Sequence, residues 1–181
     1  KTNNRKADKH TGIYERKDLI SLINTQKKQT GNRINPEDLE LTKKALKLND
    51  KTVGELVHNW SKIERVTAGE AIRPILLDEL HKTKQMYIPV VSDADKDVVV
   101  GMLDLNHLNI TSNSVIGDQM NQNVYFLNED DNLSVAIKSM ADSGSPVFIV
   151  RDKDQKPVGL ITLKDVVKEL TVVTTNTESD Q

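Results

Sequence analysis

Thr162 and Asp165 have the plainest chemistry to offer. They stand in Gly159-Leu160-Ile161-Thr162-Leu163-Lys164-Asp165-Val166-Val167, where an apolar run turns into a helical pattern. Val158, Leu160 and Ile161 predict a strand. Leu163, Val166, Val167 and Leu170 repeat at helical spacing behind Thr162, which takes the N-cap position. The start of a helix presents unpaired backbone N–H groups and partial positive charge, so a phosphate can settle there. A cap hydroxyl adds a hydrogen bond to such a phosphate. A carboxylate one turn further in can accept from the paired hydroxyls of a ribose. The same Thr-x-x-Asp spacing also makes a capping box, which needs no ligand.

The elements that position these residues occur twice. Val53-Gly54-Glu55-Leu56 is echoed by Ile116-Gly117-Asp118-Gln119, and a strand position near Val66 by Phe126 and Leu127. A helix with Pro74 near its start and Leu76, Leu77 and Leu80 facing inward has a counterpart carrying Leu133, Ala136, Ile137 and Met140. Paired strands follow, Ile88–Val91 with Val98–Leu103, and Pro146–Val150 with Val158–Ile161. Pro89 is matched with Pro146 and Gly101 with Gly159, the two spacings differing by one residue. The expectation is an α+β fold of two β-α-β-β-α units in tandem, with a helical lead-in.

Ahead of the repeat, residues 1–17 are polar and mildly basic (Lys1, Arg5, Lys6, Lys9, Arg16, Lys17) and read as a flexible lead-in. Such a charge run also suits a juxtamembrane segment on the cytoplasmic side. Residues 18–48 read as accessory helices. Leu19, Ile20, Leu22 and Ile23 suggest one that ends before Gly31. Asn35-Pro36-Glu37-Asp38 starts another, with Leu39, Leu46 and Leu48 along its apolar edge. The repeat units are placed at 49–110 and 111–171, and residues 172–181 form a Thr/Asn/Ser-rich flexible tail.

Composition narrows the chemistry. A net charge of −2 with 3% aromatic residues leaves no broad nucleic-acid footprint. Without cysteine there is no disulfide framework, thiolate zinc site or thiol nucleophile. The sequence holds no bilayer-length apolar run and no signal-peptide pattern. Because it starts at Lys1 rather than methionine, it is expected to be a piece of a longer protein. His10, His58, His81 and His107 show no ligand spacing, and no nucleophile–base pair is visible, so no enzyme activity is expected. Asp93, Asp95 and Asp97 lack the glycine and distal glutamate of an EF-hand and sit where a hairpin turn is required.

From about Asn49 to Leu170 the chain resembles a cystathionine-β-synthase-type (CBS) domain pair, or Bateman module. Asn49–Val57, Tyr87-Ile88-Pro89-Val90 and Gly159–Val166, with the acidic helical lead-in at Asn35–Glu40 and Leu46–Leu48, most resemble the cyclin-M/CorC family of magnesium and cobalt transport proteins. The resemblance implies two units packed sheet to sheet, a cleft for an adenine nucleotide (ATP or AMP, with Mg²⁺ screening the phosphates), and a homodimer. It also implies a transmembrane transport domain upstream on the same chain, which puts these residues at the cytoplasmic face of the membrane.

By the same resemblance Thr162 contacts phosphate, Asp165 the ribose and Lys164 a polyphosphate. Thr52 and Val57 line the base pocket, and Met86, Tyr87 and Ile88 close it. Asp104 and His107 stand in the first unit where the motif has Thr/Ser and Asp, so that second cleft is expected to hold no nucleotide. Tyr87 replaces a common Arg, and Val57-His58-Asn59-Trp60 an expected Met-Thr-Pro. Two other readings remain open on these residues: a dimerisation module with a decayed nucleotide site, and the regulatory insert of a soluble enzyme.

Overall fold

The computed structural model describes residues 15–27, 34–108 and 114–171. The expected tail at 172–181 and residues 1–14 of the expected lead-in lie outside the described residues. The chain divides into two structural units, residues 1–47 and 48–181.

The first unit contributes helices α1 (Arg16–Lys27) and α2 (Pro36–Lys47). The start of α2 follows from its sequence: Asn35 Oδ1 accepts from the Glu37 amide at 3.0 Å, Pro36 opens the helix, and Glu37 and Asp38 meet its positive end. Lys27 Nζ lies 3.1 Å from Glu40 Oε2 and ties the two helices. That hydrogen bond, against a smaller opposing effect of burial, holds the Glu40 carboxyl below its usual range. The helix stops at Lys47, so Leu48 is not on its apolar edge. It opens a 3-10 turn (Leu48–Asp50) and packs against the core of the second unit's later half.

The second unit is built on two sheets. Its strands are β1 (His58–Asn59), β2 (Val66–Thr67), β3 (Tyr87–Val91), β4 (Val99–Asp104), β5 (Phe126–Asn128), β6 (Val147–Arg151) and β7 (Pro157–Thr162). One sheet has the order β2-β3-β4, the other β1-β7-β6-β5. Helix α3 (Pro74–Lys82) crosses between the parallel strands β2 and β3. Helix α5 (Leu133–Ser143) does the same between β5 and β6, while the short α4 (Ile116–Gln119) precedes β5.

The apolar strand runs are explained by burial on both faces. In β6, Phe148 and Val150 point to the helix-side core with Leu133, Met140 and Val166, while Val147 and Ile149 point the other way. There they meet Met102 of β4 and Leu160 of β7 in a core between the sheets, flanked by Tyr87 and Phe126. Ile88, Val90 and Leu103 belong to the earlier half's own core with Leu77 and Leu80. The expected sheet-to-sheet packing is therefore present.

The halves also exchange their lead segments. The Val53 and Gly54 amides donate to the Asp131 and Glu129 carbonyls at 2.7 and 2.9 Å. Reciprocally, the Ile116 and Gly117 amides donate to the Glu70 and Ala68 carbonyls at 2.9 and 2.8 Å. The repeated Val-Gly and Ile-Gly pairs are thus matching clasps, each laid on the other half.

Two expectations need correction. Gly101 pairs with Val90 and Gly159 with Val150, but Pro89 sits opposite Met102, a place held by Ile149 in the later half. Pro146 precedes β6, so the two prolines are not counterparts. The longer Asp93–Asp97 turn disguises the shift. Its Asp95 carboxylate takes the Asp97 amide at 2.9 Å, as a turn residue does. Second, the earlier half of the second unit does not close with a helix directly after β4. Among the described residues it has a 3-10 turn, Leu105–His107. Asp104 Oδ1 takes the Asn106 amide at 3.0 Å, two residues on, and this Asx turn competes with helix propagation.

Candidate functional site

Thr162 is the last residue of β7, and Leu163 opens α6 (Leu163–Thr171). The Thr162 amide and hydroxyl donate to Asp165 Oδ2 at 2.9 and 2.6 Å. The Asp165 amide donates back to Thr162 Oγ1 at 3.3 Å. This is a reciprocal capping box, and it fixes hydroxyl and carboxylate together at the positive end of the helix. Val166 anchors α6 in the core, and Lys51 Nζ clasps Glu169 Oε1 at 2.5 Å one turn further on. Leu163 and Val167 are 40% and 44% exposed, so the expected inward stripe is narrower than the sequence pattern suggests.

A further partner comes from across the sheet. Strand β1 lies antiparallel on β7, with His58 opposite Leu160 and Asn59 opposite Gly159. A side chain at Gly159 would collide with the His58 carbonyl oxygen, so glycine is what lets β1 approach. The approach puts His58 Nε2 3.1 Å from Asp165 Oδ2. Burial pushes the Asp165 carboxyl up, but bonds from the Thr162 hydroxyl and amide and from His58 outweigh it and hold the group below the usual aspartate range.

The other candidates divide among several places. Val57 packs with the later half's core, and its Cγ2 closes over Gly159 beside His58. Lys164 is exposed. The Thr52 amide donates to Glu55 Oε1 at 2.9 Å, and its backbone bridges to Asn132, the cap of α5. Ile88 is fully buried in the earlier half's core, so its side chain is closed to a ligand. Met86 is 51% exposed.

Tyr87 pairs with Asp104 across β3 and β4 and lines a cavity of about 120 Å³ with Met102, Tyr125, Ser145 and Val147. Burial first, then the Asp104 charge, pushes its phenol above the ordinary value. At this end His107 Nδ1 lies 2.8 Å from Asp104 Oδ2, and the acid replaces the hydroxyl of Thr162. A cavity of about 240 Å³ lies by the Asn128–Asp131 and Arg151–Lys153 turns, at the opposite strand ends from Thr162. Its Asp131 and Asp152 carboxylates are used to close those turns.

His58 is the site residue that sequence reasoning missed. Its contact with Asp165 depends on the β1–β7 pairing, and no spacing rule reaches across so much chain. Among the described residues, no group of three or more His, Asp or Glu could hold a metal ion, and no helix is long and apolar enough to cross a membrane.

The CBS domain profile matches residues 114–172. This segment is a CBS domain. Over most of its length the chain is similar in fold to CBS structures from transport proteins. The CBS domain of a bacterial CNNM/CorC family Mg²⁺ transporter superposes with a TM-score of 0.73 at 17% identity, over 88% of this chain and 97% of that one. A structure of such a domain in complex with ATP gives 0.67 at 19% identity, over 76% and 100% of the two chains. A hemolysin-like CBS protein of Oenococcus oeni PSU gives 0.62 at 25% identity, over 73% and 98%. No curated protein matches by sequence.

Proposed function

We propose that this chain is a regulatory, non-catalytic CBS pair that binds an adenine nucleotide and relays its occupancy to a membrane protein moving magnesium or another divalent cation. The observation that carries the reading is the convergence of Thr162 and Asp165 on the positive end of α6, at the rim of a sheet built like that of the ATP-bound relative. The helix start and the Thr162 hydroxyl receive phosphate, with Lys164 beside them. Asp165 accepts the ribose hydroxyls, and Val57, Met86 and Tyr87 offer apolar surface to the base. Mg²⁺ enters with the nucleotide, screening its phosphates. The ligand favours one arrangement of the paired halves over another, and that differential affinity is the signal. Exposed apolar residues on the helices, Ile75, Val135, Leu163 and Val167, support association of two copies. The membrane partner would lie on the same polypeptide, with this domain at its cytoplasmic face.

Isothermal titration with ATP, ADP and AMP, with and without Mg²⁺, tests the reading. Saturable binding that Thr162→Ala and Asp165→Asn each weaken about tenfold or more is expected, since each removes a hydrogen bond involving a charged group. Silence at millimolar nucleotide refutes it. One observation favours a second reading, a dimerisation module with a lapsed nucleotide site: Asp165 Oδ2 is already engaged by Thr162 and His58. A dimer whose melting temperature ignores every adenine nucleotide would select that reading.

A further inference from the structure

A ribose diol would engage both oxygens of the Asp165 carboxylate, and His58 Nε2 lies 3.1 Å from one of them, Oδ2. The Thr162 amide and hydroxyl belong to the helix cap and stay whether or not a ligand arrives. His58 differs from them. Its side chain is 56% exposed, it comes from a two-residue strand, and its bond to Asp165 serves no cap. Oδ2 already takes the Thr162 amide and hydroxyl, so a ribose hydroxyl arriving at that oxygen and the imidazole compete for the little room left around it.

We infer that His58 is a specificity-determining gate, a built-in competitor of the ribose hydroxyls for Asp165. The inference rests on the nucleotide reading and adds the diol requirement to it. A nucleotide with both hydroxyls replaces the imidazole bond with bonds of its own. A ligand lacking them gains nothing at Asp165 and leaves His58 in place. The gate lowers affinity for every ribonucleotide by a common factor and is indifferent to phosphate number.

The test is titration of the 181-residue chain and its His58→Ala and His58→Gln variants with ATP and with 2′,3′-dideoxy-ATP. His58→Ala is expected to tighten ATP binding about three- to tenfold, the range for freeing a partly exposed charged acceptor. The dideoxy analogue should bind both proteins equally, and His58→Gln, which keeps a donor, should restore wild-type affinity for ATP. Equal ATP affinity with and without the imidazole overturns the gate, as does an equal gain for the dideoxy analogue or a loss of ATP binding in His58→Ala. Failure of every protein to bind ATP removes the nucleotide reading and the competition with it. A carbon-detected titration of the Asp165 carboxyl, expected to move upward in His58→Ala, checks the contact without any nucleotide. An unmoved carboxyl likewise overturns the gate.

Discussion

Strand pairs β3–β4 and β6–β7 share one register, joined by turns of different length, until their final residue, where they part. Thr162 turns its hydroxyl to the residue three ahead and a helix of nine residues follows. Asp104 turns its carboxylate to the amide two ahead, then to the His107 ring, and the chain makes a 3-10 turn. The lesson is that one cap residue decides both the local structure and the sign of charge offered to a ligand. A hydroxyl leaves the positive helix end open to an anion, whereas an acid neutralises the turn and repels one.

The comparison breaks first at the level of the cores. Leu103 and Ile161 hold matching places in β4 and β7, and both are fully buried. Leu103→Ala and Ile161→Ala should each cost about 2–5 kcal/mol in denaturant unfolding. Because the lead segments are exchanged, each variant should still unfold in one transition. A biphasic curve in either would show that the halves are independent.

A transplant sharpens the comparison. Asp104→Thr combined with His107→Asp installs the later half's cap in the earlier half. Helical circular dichroism should rise, and titration with ATP should show a second, weaker event. An unchanged spectrum with unchanged stoichiometry would mean that residues beyond the cap stop that helix.

The smallest effect is one of pH. Asp165 is held below the ordinary aspartate range in the folded protein. Its contribution to stability is therefore complete above the unfolded-state value of about 3.9 and is lost as pH falls through the lower folded-state value. The melting temperature of the wild type should exceed that of Asp165→Asn near neutrality. The gap should narrow as pH falls below about 4. A constant gap would remove the carboxylate's charge from the account of the cap.

Much of this was legible in the residues. Two-sided burial writes itself as continuous apolar runs, and the repeat of Val53-Gly54 at Ile116-Gly117 is real in three dimensions. The Thr162–Asp165 pairing follows from local spacing alone. What stayed hidden depends on contacts between distant segments. The clasp pattern is the same whether a segment lies on its own half or on the other, so the exchange cannot be seen in periodicity. Proline positions misled because the earlier hairpin carries a longer turn. His58 looked inert because its partner lies more than a hundred residues away.

The exchanged clasps set a limit on how this protein can be taken apart. Severing it between the repeats would strip each piece of the segment that seals its sheet and leave bare amides and carbonyls along a strand border. Two identical severed pieces could lend each other the missing segment. Fragments cut there should therefore be recovered as intertwined pairs or aggregates rather than as stable single halves.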